Sequence, residues 1–590
     1  MVDFLERLQL RLAGFNAHPL LAVLGLTSGL ISGGIIILFR KTVETTQSGL
    51  LPDGGIGDFE TLTTLERFFF PATGGLILAI ILHFFSKPGY RFGVVHILER
   101  LAYFEGNMPI RNMILQFVGV VVALVSGQSV GREGPSAHLG AASSSLMGNY
   151  LLLPNNSIRT LVACGTAAAI AASFNTPLAG VIFAMEVVMM EYTIAGFTPV
   201  ILAAFSATVL TQWVYGSDPA FSVPPFEMYS FHEIPIVLFM GIILGALAAG
   251  FISSLSWVTE NNRERPVFFK MILAGFGVGL CAIVVPEIMG IGYDTVDLAL
   301  HGTAALSGLV IIVLFKVIAT SLSIGLGVPG GLIGPTIFMG ATAGGALGLL
   351  VGYLPMEGGS HPGFYAMLGM AAMMSACLQA PLAALVTLLE LTANPNIILP
   401  GMLVIISANL TAKELFSKES IFMSQMRASG LYYKNDPITQ SLRRLSVASV
   451  MDHDFVSTDQ IIDRKKAEEL LVKSPRWLII ERVENKLLMP AADLSRFLEE
   501  VRKQELEPLP PEDQVKNKSE KIDLMEIPSH RQQLTSVHRR ATLQEAREIM
   551  EASEVEALFV IRISALLNDQ DTDLIQGIID REAIEKSYRS

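Results

Sequence analysis

Two blocks of this chain recur in the same order about two hundred residues apart, and that recurrence limits the fold more than any other feature. Gly134-Pro135-Ser136-Ala137-His138-Leu139-Gly140-Ala141 lines up with Gly334-Pro335-Thr336-Ile337-Phe338-Met339-Gly340-Ala341, 200 residues on. Gly165 to Glu186, containing Phe174-Asn175-Thr176-Pro177-Leu178-Ala179, matches Gly369 to Glu390, containing Leu378-Gln379-Ala380-Pro381-Leu382-Ala383, 204 residues on. Helix breakers are common, but they do not recur in order at nearly equal offsets by chance. The chain therefore holds two homologous halves, residues 19–216 and 234–430. Transporters and pores are often built this way, with the substrate held where broken helices of both halves meet.

The setting of the repeat is a membrane. Of 590 residues 51% are hydrophobic, more than a soluble domain carries, and apolar runs long enough to span a bilayer recur. The first, Pro19 to Phe39, is closed by Arg40 and Lys41. It is too long for a signal-peptide core and reads as a retained membrane helix. From Leu431 onward about a third of the residues are charged, against about a tenth before, so residues 1–430 form a membrane domain and 431–590 a soluble tail. A net charge of −12 argues against nucleic acid as a partner. Cys164, Cys281 and Cys377 are single and far apart, so neither a disulfide framework nor a metal site is expected. Basic residues recur in many short connections, so charge alone gives no clean topology; the tail is expected to be cytoplasmic.

Within the repeat, Val130-Gly131-Arg132-Glu133-Gly134-Pro135 puts a carboxylate and an arginine between the apolar runs Met113 to Val125 and Leu139 to Leu153. A charge at that depth costs about 2.5–3.5 kcal/mol on insertion scales, so Glu133 is a functional residue by expectation. Gly131 and Gly134 let the backbone bend, and Pro135 suits the first turn of a helix. The helix should begin at the charge and turn its own free N–H groups and positive dipole end toward Glu133. The equivalent loop of the second half, Gly327 to Pro335, has no charge. Its backbone N–H groups could replace the hydration of an anion without trapping it.

These residues resemble the CLC family of chloride channels and chloride/proton exchangers. Gly131-Arg132-Glu133-Gly134-Pro135 is identical to that family's gating-glutamate motif. Phe174-Asn175-Thr176-Pro177-Leu178-Ala179-Gly180 and Gly331-Leu332-Ile333-Gly334-Pro335 are similar to two more of its segments. The resemblance covers essentially the whole chain. It implies an all-α polytopic inverted repeat of about eighteen helices, a homodimer with one anion pathway per subunit, Glu133 as gate, and an anion site at Gly131, Arg132, Gly134, Leu332, Ile333 and Gly334. It also implies three departures. Phe92 and Phe422 stand where the family supplies hydroxyls to the central anion, and Ile333 replaces a Phe. Val187 stands where exchangers place an inward glutamate, with Glu191 nearby as the substitute acceptor for protons. His138 is read as an ordinary hydrogen-bonded residue, and Glu186 and Glu390, equivalent in the repeat, as structural groups at helix ends.

The tail resembles a pair of CBS domains, residues 445–501 and 528–590, joined by a charged, Pro-rich linker, 502–527. Such pairs often bind adenine nucleotides, but Pro490, and Asp580 with Ala583, depart from the nucleotide-binding pattern, so a structural tail without cofactor is expected. An intramembrane enzyme would need a nucleophile with its base or a metal set, and no His-Glu-x-x-His or clustered Cys and His is present. The chain is read as anion transport, channel-like or loosely proton-coupled, with stoichiometric chloride/proton exchange as the alternative, in a bacterial inner membrane.

Overall fold

The computed structural model describes residues 18–589 except 53–54, 87–88, 219–220, 222–225, 227, 229, 354–359, 434–435, 483–484, 507–520 and 562–574. Most of the expected linker lies outside the described residues. The chain divides into two compact units. The larger takes in His18–Leu151 and Ile158–Tyr433. The smaller takes in the described residues from Asp436 on, with Leu152–Ser157.

The larger unit is helical throughout. Its first half runs α1 (His18–Leu50), α2 (Thr64–Phe85), α3 (Gly93–Tyr103), α4 (Ile110–Val125), α5 (Glu133–Tyr150), α6 (Asn155–Phe174), α7 (Pro177–Phe183) and α8 (Ile194–Tyr215). The second half repeats the order with α9 (Ile234–Asn261), α10 (Val267–Val284), α11 (Tyr293–Leu300), α12 (Leu306–Gly325), α13 (Ile333–Val351), α14 (Pro362–Leu378), α15 (Pro381–Thr392) and α16 (Ile398–Leu410). A last short helix, α17 (Ile421–Ala428), follows. Among the described residues nine helices are long and apolar enough to cross a membrane. Their outward faces carry exposed Phe69, Phe84, Phe239, Trp213 and Leu314, as lipid contact requires. Inside, two of the helix contacts are made by glycines. Gly140 and Gly165 of α5 and α6 face each other so closely that a Cβ on either would lie 2.1 Å from the other's carbonyl oxygen, and Gly340 and Gly369 repeat this between α13 and α14. Close backbone approach, rather than burial of large side chains, is how helices associate where lipid is as apolar as Leu.

The halves are tied at two places. Gly131 and Gly331 exchange both backbone hydrogen bonds at 2.8 Å as an antiparallel bridge, so equivalent residues meet head to tail, which is the signature of an inverted repeat. Glu186 accepts from the N–H groups of Leu382 and Ala383 at the start of α15, and Glu390 accepts from those of Leu178 and Ala179 at the start of α7. Pro177 and Pro381 open those helices, and the residues before them offer no side-chain cap, so each half's carboxylate satisfies the other's free donors. Both glutamates thus have the role at helix ends that their repeat positions imply.

The smaller unit is α/β. After α18 (Pro437–Arg444) come β1 (Phe455–Asp459), β2 (Ile461–Asp463), α19 (Arg464–Val472), β3 (Trp477–Glu481), β4 (Lys486–Pro490), α20 (Ala491–Leu506), β5 (Lys521–Asp523), β6 (Gln532–His538), α21 (Leu543–Ser553), β7 (Ala557–Ile561), β8 (Ile575–Asp580) and α22 (Arg581–Arg589). Six strands form one sheet in the order β1-β3-β4-β6-β7-β8. β1 runs parallel to β3, which is antiparallel to β4; β6, β7 and β8 repeat that pattern. An internal repeat of this kind is compatible with a pair of CBS units.

Candidate functional site

Glu133 opens α5 with Arg132 as its N-cap, and Ile333 opens α13 with Leu332 as its N-cap. The two caps share one backbone conformation, φ −90 and ψ −17 at Arg132, φ −101 and ψ −20 at Leu332. Two helix N-termini of opposite direction therefore converge, and their first N–H groups have no acceptor within their own helices.

The carboxylate of Glu133 is fully buried. Oε2 accepts from the Gly334 N–H at 3.1 Å, and Oε1 accepts from the Tyr293 hydroxyl at 2.6 Å. The Arg132 Nε lies 3.8 Å from Oε1, and its guanidinium lies 5.4 Å from the centre of the Tyr293 ring. Two of these neighbours donate hydrogen bonds and the third is a cation at ion-pair distance, surroundings that suit a carboxylate, and a 2.6 Å hydroxyl contact is typical of a charge-assisted bond. One expectation is corrected here. The donor to Glu133 is not an N–H of its own helix but Gly334, from the other half, because the side chain crosses the bridge between the loops. Room for that crossing exists only because Gly131 and Gly334 lack side chains. A Cβ at either would lie 2.6 or 2.8 Å from Oε2.

Across the paired loops lies a cavity of about 320 Å³. Gly134, Gly331 and Leu332 contribute to its wall, with the rings of Phe92 and Phe422 beside them. Aromatic carbon thus stands at both positions where the family resemblance led one to look for hydroxyls. The lining also includes the basic side chains of Arg91, Arg263 and Lys270. Arg91 is paired with Glu99 at 2.8 Å. Basic groups along a low-dielectric wall concentrate anions. Gly131, Arg132, Glu133, Gly134, Leu332, Ile333 and Gly334 are therefore brought together, with Phe92 and Phe422 facing the cavity. Val187 is buried in a π-helical turn, Ala184–Met189, that continues α7, and Glu191 follows it, half-buried, its N–H bonded to the Met185 carbonyl. Neither lines the cavity.

Tyr293 escaped sequence reading. The signal existed: the repeat offset of 200 residues, carried from Phe92, lands on Gly292, directly before Tyr293 at the start of α11. Gly127-Gln128-Ser129-Val130-Gly131 also has the spacing of a hydrolase nucleophile turn. The Ser129 hydroxyl is buried against that of Thr320 at 3.1 Å, a partner that cannot serve as a base.

A membrane fold of two inverted halves, with a tethered carboxylate held by donors where the helix starts of both halves converge, defines an anion-transport architecture. The voltage gated chloride channel family model matches residues 74–413. The putative chloride channel protein ClcB-like of Ralstonia nicotianae is 32% identical over 406 residues, 67% of this chain and 93% of the relative. The H(+)/Cl(−) exchange transporter ClcA of Vibrio cholerae is 27% identical over 409 residues, 66% of this chain and 86% of the relative. Among solved structures, a slow cyanobacterial Cl−/H+ antiporter superposes with a TM-score of 0.61 at 22% identity, over 70% of this chain and 99% of that one. A eukaryotic CLC transporter does so with 0.58 at 19% identity, over 95% and 97%. The chain belongs to the voltage gated chloride channel family and is a multi-pass membrane protein.

Proposed function

We propose that this protein moves chloride or a related small anion through a pathway in each subunit of a homodimer, and that the ionised Glu133 side chain is its gate. The observation that carries this reading is the set of donors around that carboxylate. A site that holds a tethered anion by an N–H, a hydroxyl and a guanidinium can hold a free one once the tether leaves. Protonation is one way to release it. A protonated carboxyl carries a donor of its own, which the Gly334 N–H cannot accept.

Movement is channel-like or loosely coupled to protons. Strict exchange needs a firmly held central anion and a protonatable group on the far side of the gate; Phe92 and Phe422 have no hydroxyl to offer, and Val187 carries no proton. The membrane potential contributes about 2.3 kcal/mol per charge per 100 mV, enough to drive an anion through a shallow site. Stoichiometric chloride/proton exchange is the second reading, favoured by the relatives named as exchange transporters. Chloride flux from proteoliposomes with simultaneous pH recording separates them. A reversal potential that follows the proton gradient at constant chloride, with a fixed ratio, would establish exchange and end the channel-like reading.

The membrane is a bacterial inner membrane with the tail cytoplasmic, and the tail acts structurally, without enzymatic activity or nucleotide. Its cleft of about 300 Å³ is lined by Asp452, Asp580 and Glu582 as well as Arg476 and Lys586. Both cations are already paired, Arg476 with Asp452 at 3.2 Å and Lys586 with Glu582 at 2.7 Å, which leaves little for a phosphate.

A further inference from the structure

His96 of α3 and His138 of α5 form a buried pair, Nδ1 to Nε2 at 2.7 Å. On its other side the His96 Nε2 meets the Asn112 amide Nδ2 at 3.0 Å, and Asn112 lies in the first turn of α4, half-buried. At the far end His138 is 0% exposed and its Nδ1 has no hydrogen-bond partner. A fully buried imidazole nitrogen left open at the end of a hydrogen-bonded chain is costly unless it does something. The chain also lies beside the anion cavity. Val94 and Val95, just before His96, line that cavity, and so does Tyr90, whose ring centre is 5.9 Å from that of His96. His138 lies five residues beyond Glu133 on the same helix, about 7.5 Å along its axis.

We propose that the Asn112–His96–His138 chain is a proton relay that serves Glu133 from the cavity side, the protonatable centre that Val187 cannot provide. This rests on Glu133 being a protonated gate. With Asn112 donating, His96 carries its proton on Nδ1 and gives it to the Nε2 of His138, whose own proton is on Nδ1. In a transfer, a proton from water binds at the His96 Nε2 while the Asn112 amide turns its Oδ1 toward it. The Nδ1–H bond of His96 breaks as the Nε2–H bond of His138 forms. The Nδ1–H bond of His138 then breaks and its proton passes to water on the way to the Glu133 carboxylate. One proton enters and one leaves. Because an amide presents a donor or an acceptor by turning over, Asn112 can stabilise either tautomer of His96. The other ionisable groups on the elements packed around the pair are Tyr90, Arg91, Glu99, Arg100 and Tyr103 on the α3 side, Arg40, Lys41 and Glu44 on α1, Arg111 on α4, Arg159 on α6, Arg427 on α17, Glu186 in the π-helical turn, and Arg132 and Glu133 at the start of α5. Arg91 is paired with Glu99, Arg40 with Glu44 and Arg427 with Glu419, and the partners of the two rings are each other and Asn112.

The test uses the full chain in proteoliposomes, with chloride and pH recorded together. His96→Gln and His138→Gln keep amide hydrogen bonds but cannot pass a proton through a ring. The expected result is chloride flux within about twofold of the native rate, with proton movement per chloride, and the response of chloride flux to pH on the cavity side, reduced about tenfold or more. Asn112→Asp, which retains a polar partner for His96, should keep part of both. Glu133→Gln is the control. If it alters chloride flux and its response to pH while the histidine variants match the native protein in both proton readouts, the relay is wrong and the gate stands. Equal loss of chloride and proton movement in the histidine variants would assign the pair a structural role and also overturn the relay. If Glu133→Gln leaves flux and pH response unchanged, the gate itself is wrong.

Discussion

The two loops at the centre of the membrane unit share a backbone and differ in one decisive side chain. Gly131-Arg132-Glu133-Gly134-Pro135 and Gly331-Leu332-Ile333-Gly334-Pro335 cap their helices in the same conformation, follow equivalent glycines at positive φ, Gly127 and Gly327, and hydrogen-bond to one another. Where the first has Glu133, the second has Ile333, buried in the apolar core. Duplication therefore provided the scaffold, and a single charged side chain made one copy a gate and the other a frame. Each half supplies what the other lacks: the carboxylate comes from the first, its backbone donor from the second.

The largest effect should come from removing the charge. Glu133→Ala should raise anion flux at neutral pH about tenfold or more and abolish its dependence on external pH, since a hydrogen bond to a charged group is worth about 1.5–3 kcal/mol and two such bonds hold the plug. Flux and pH response unchanged from native would remove Glu133 from the pathway. The equivalent glycines give a sharper contrast. At Gly334 a Cβ would press mainly on the movable end of Glu133, 2.8 Å from Oε2, whereas at Gly134 it would lie 2.9 Å from the Cα of Gly331, which cannot yield. Gly334→Ala should therefore produce a folded, leaky protein. Gly134→Ala should lose about 1–3 kcal/mol of stability instead, read as a lower melting temperature in detergent. Similar behaviour in both would show that the carboxylate does not occupy the space between the loops.

A smaller effect is expected at Tyr293, whose hydroxyl donates one of the two hydrogen bonds that hold the Glu133 carboxylate. Tyr293→Phe removes that bond and leaves the one from Gly334, so anion flux at neutral pH should rise by less than in Glu133→Ala, about threefold. A fall in flux would mean the hydroxyl serves the passing anion rather than the gate. The smallest change is at the cavity wall. Phe92→Ser places a hydroxyl beside Leu332, and calorimetric titration should show chloride binding tightened up to about tenfold, from a net hydrogen bond of about 0.5–1.5 kcal/mol.

How much of this was legible follows from how local each feature is. The gate motif and the helix starts were readable because glycine, proline and a charge a few residues apart determine one turn of backbone by themselves. That Glu186 and Glu390 serve helix ends was readable from their equivalent places in the repeat; that each serves a helix of the other half came only with the packing. Tyr293 and the His96–His138 pair were not, because their partners come from distant helices and no periodicity marks them. The sequence places the donor to Glu133 in its own half for the same reason, whereas it comes from Gly334. Local dipole logic points the nearest N–H groups at the charge, while tertiary packing brings a better-placed one from 201 residues away.

The exchange of caps between Glu186 and Glu390 bears on the chain's ancestry and on how it can be taken apart. In a two-fold dimer every contact occurs twice, residue i on j and j on i, and that is the form these bonds take within one polypeptide. They are what a pair of half-length membrane chains would have kept when their genes were joined. Cut in the stretch between α8 and α9, the protein would yield two fragments, each with an unsatisfied helix start and a stranded carboxylate, and co-expression of the two would restore both caps in one assembly step.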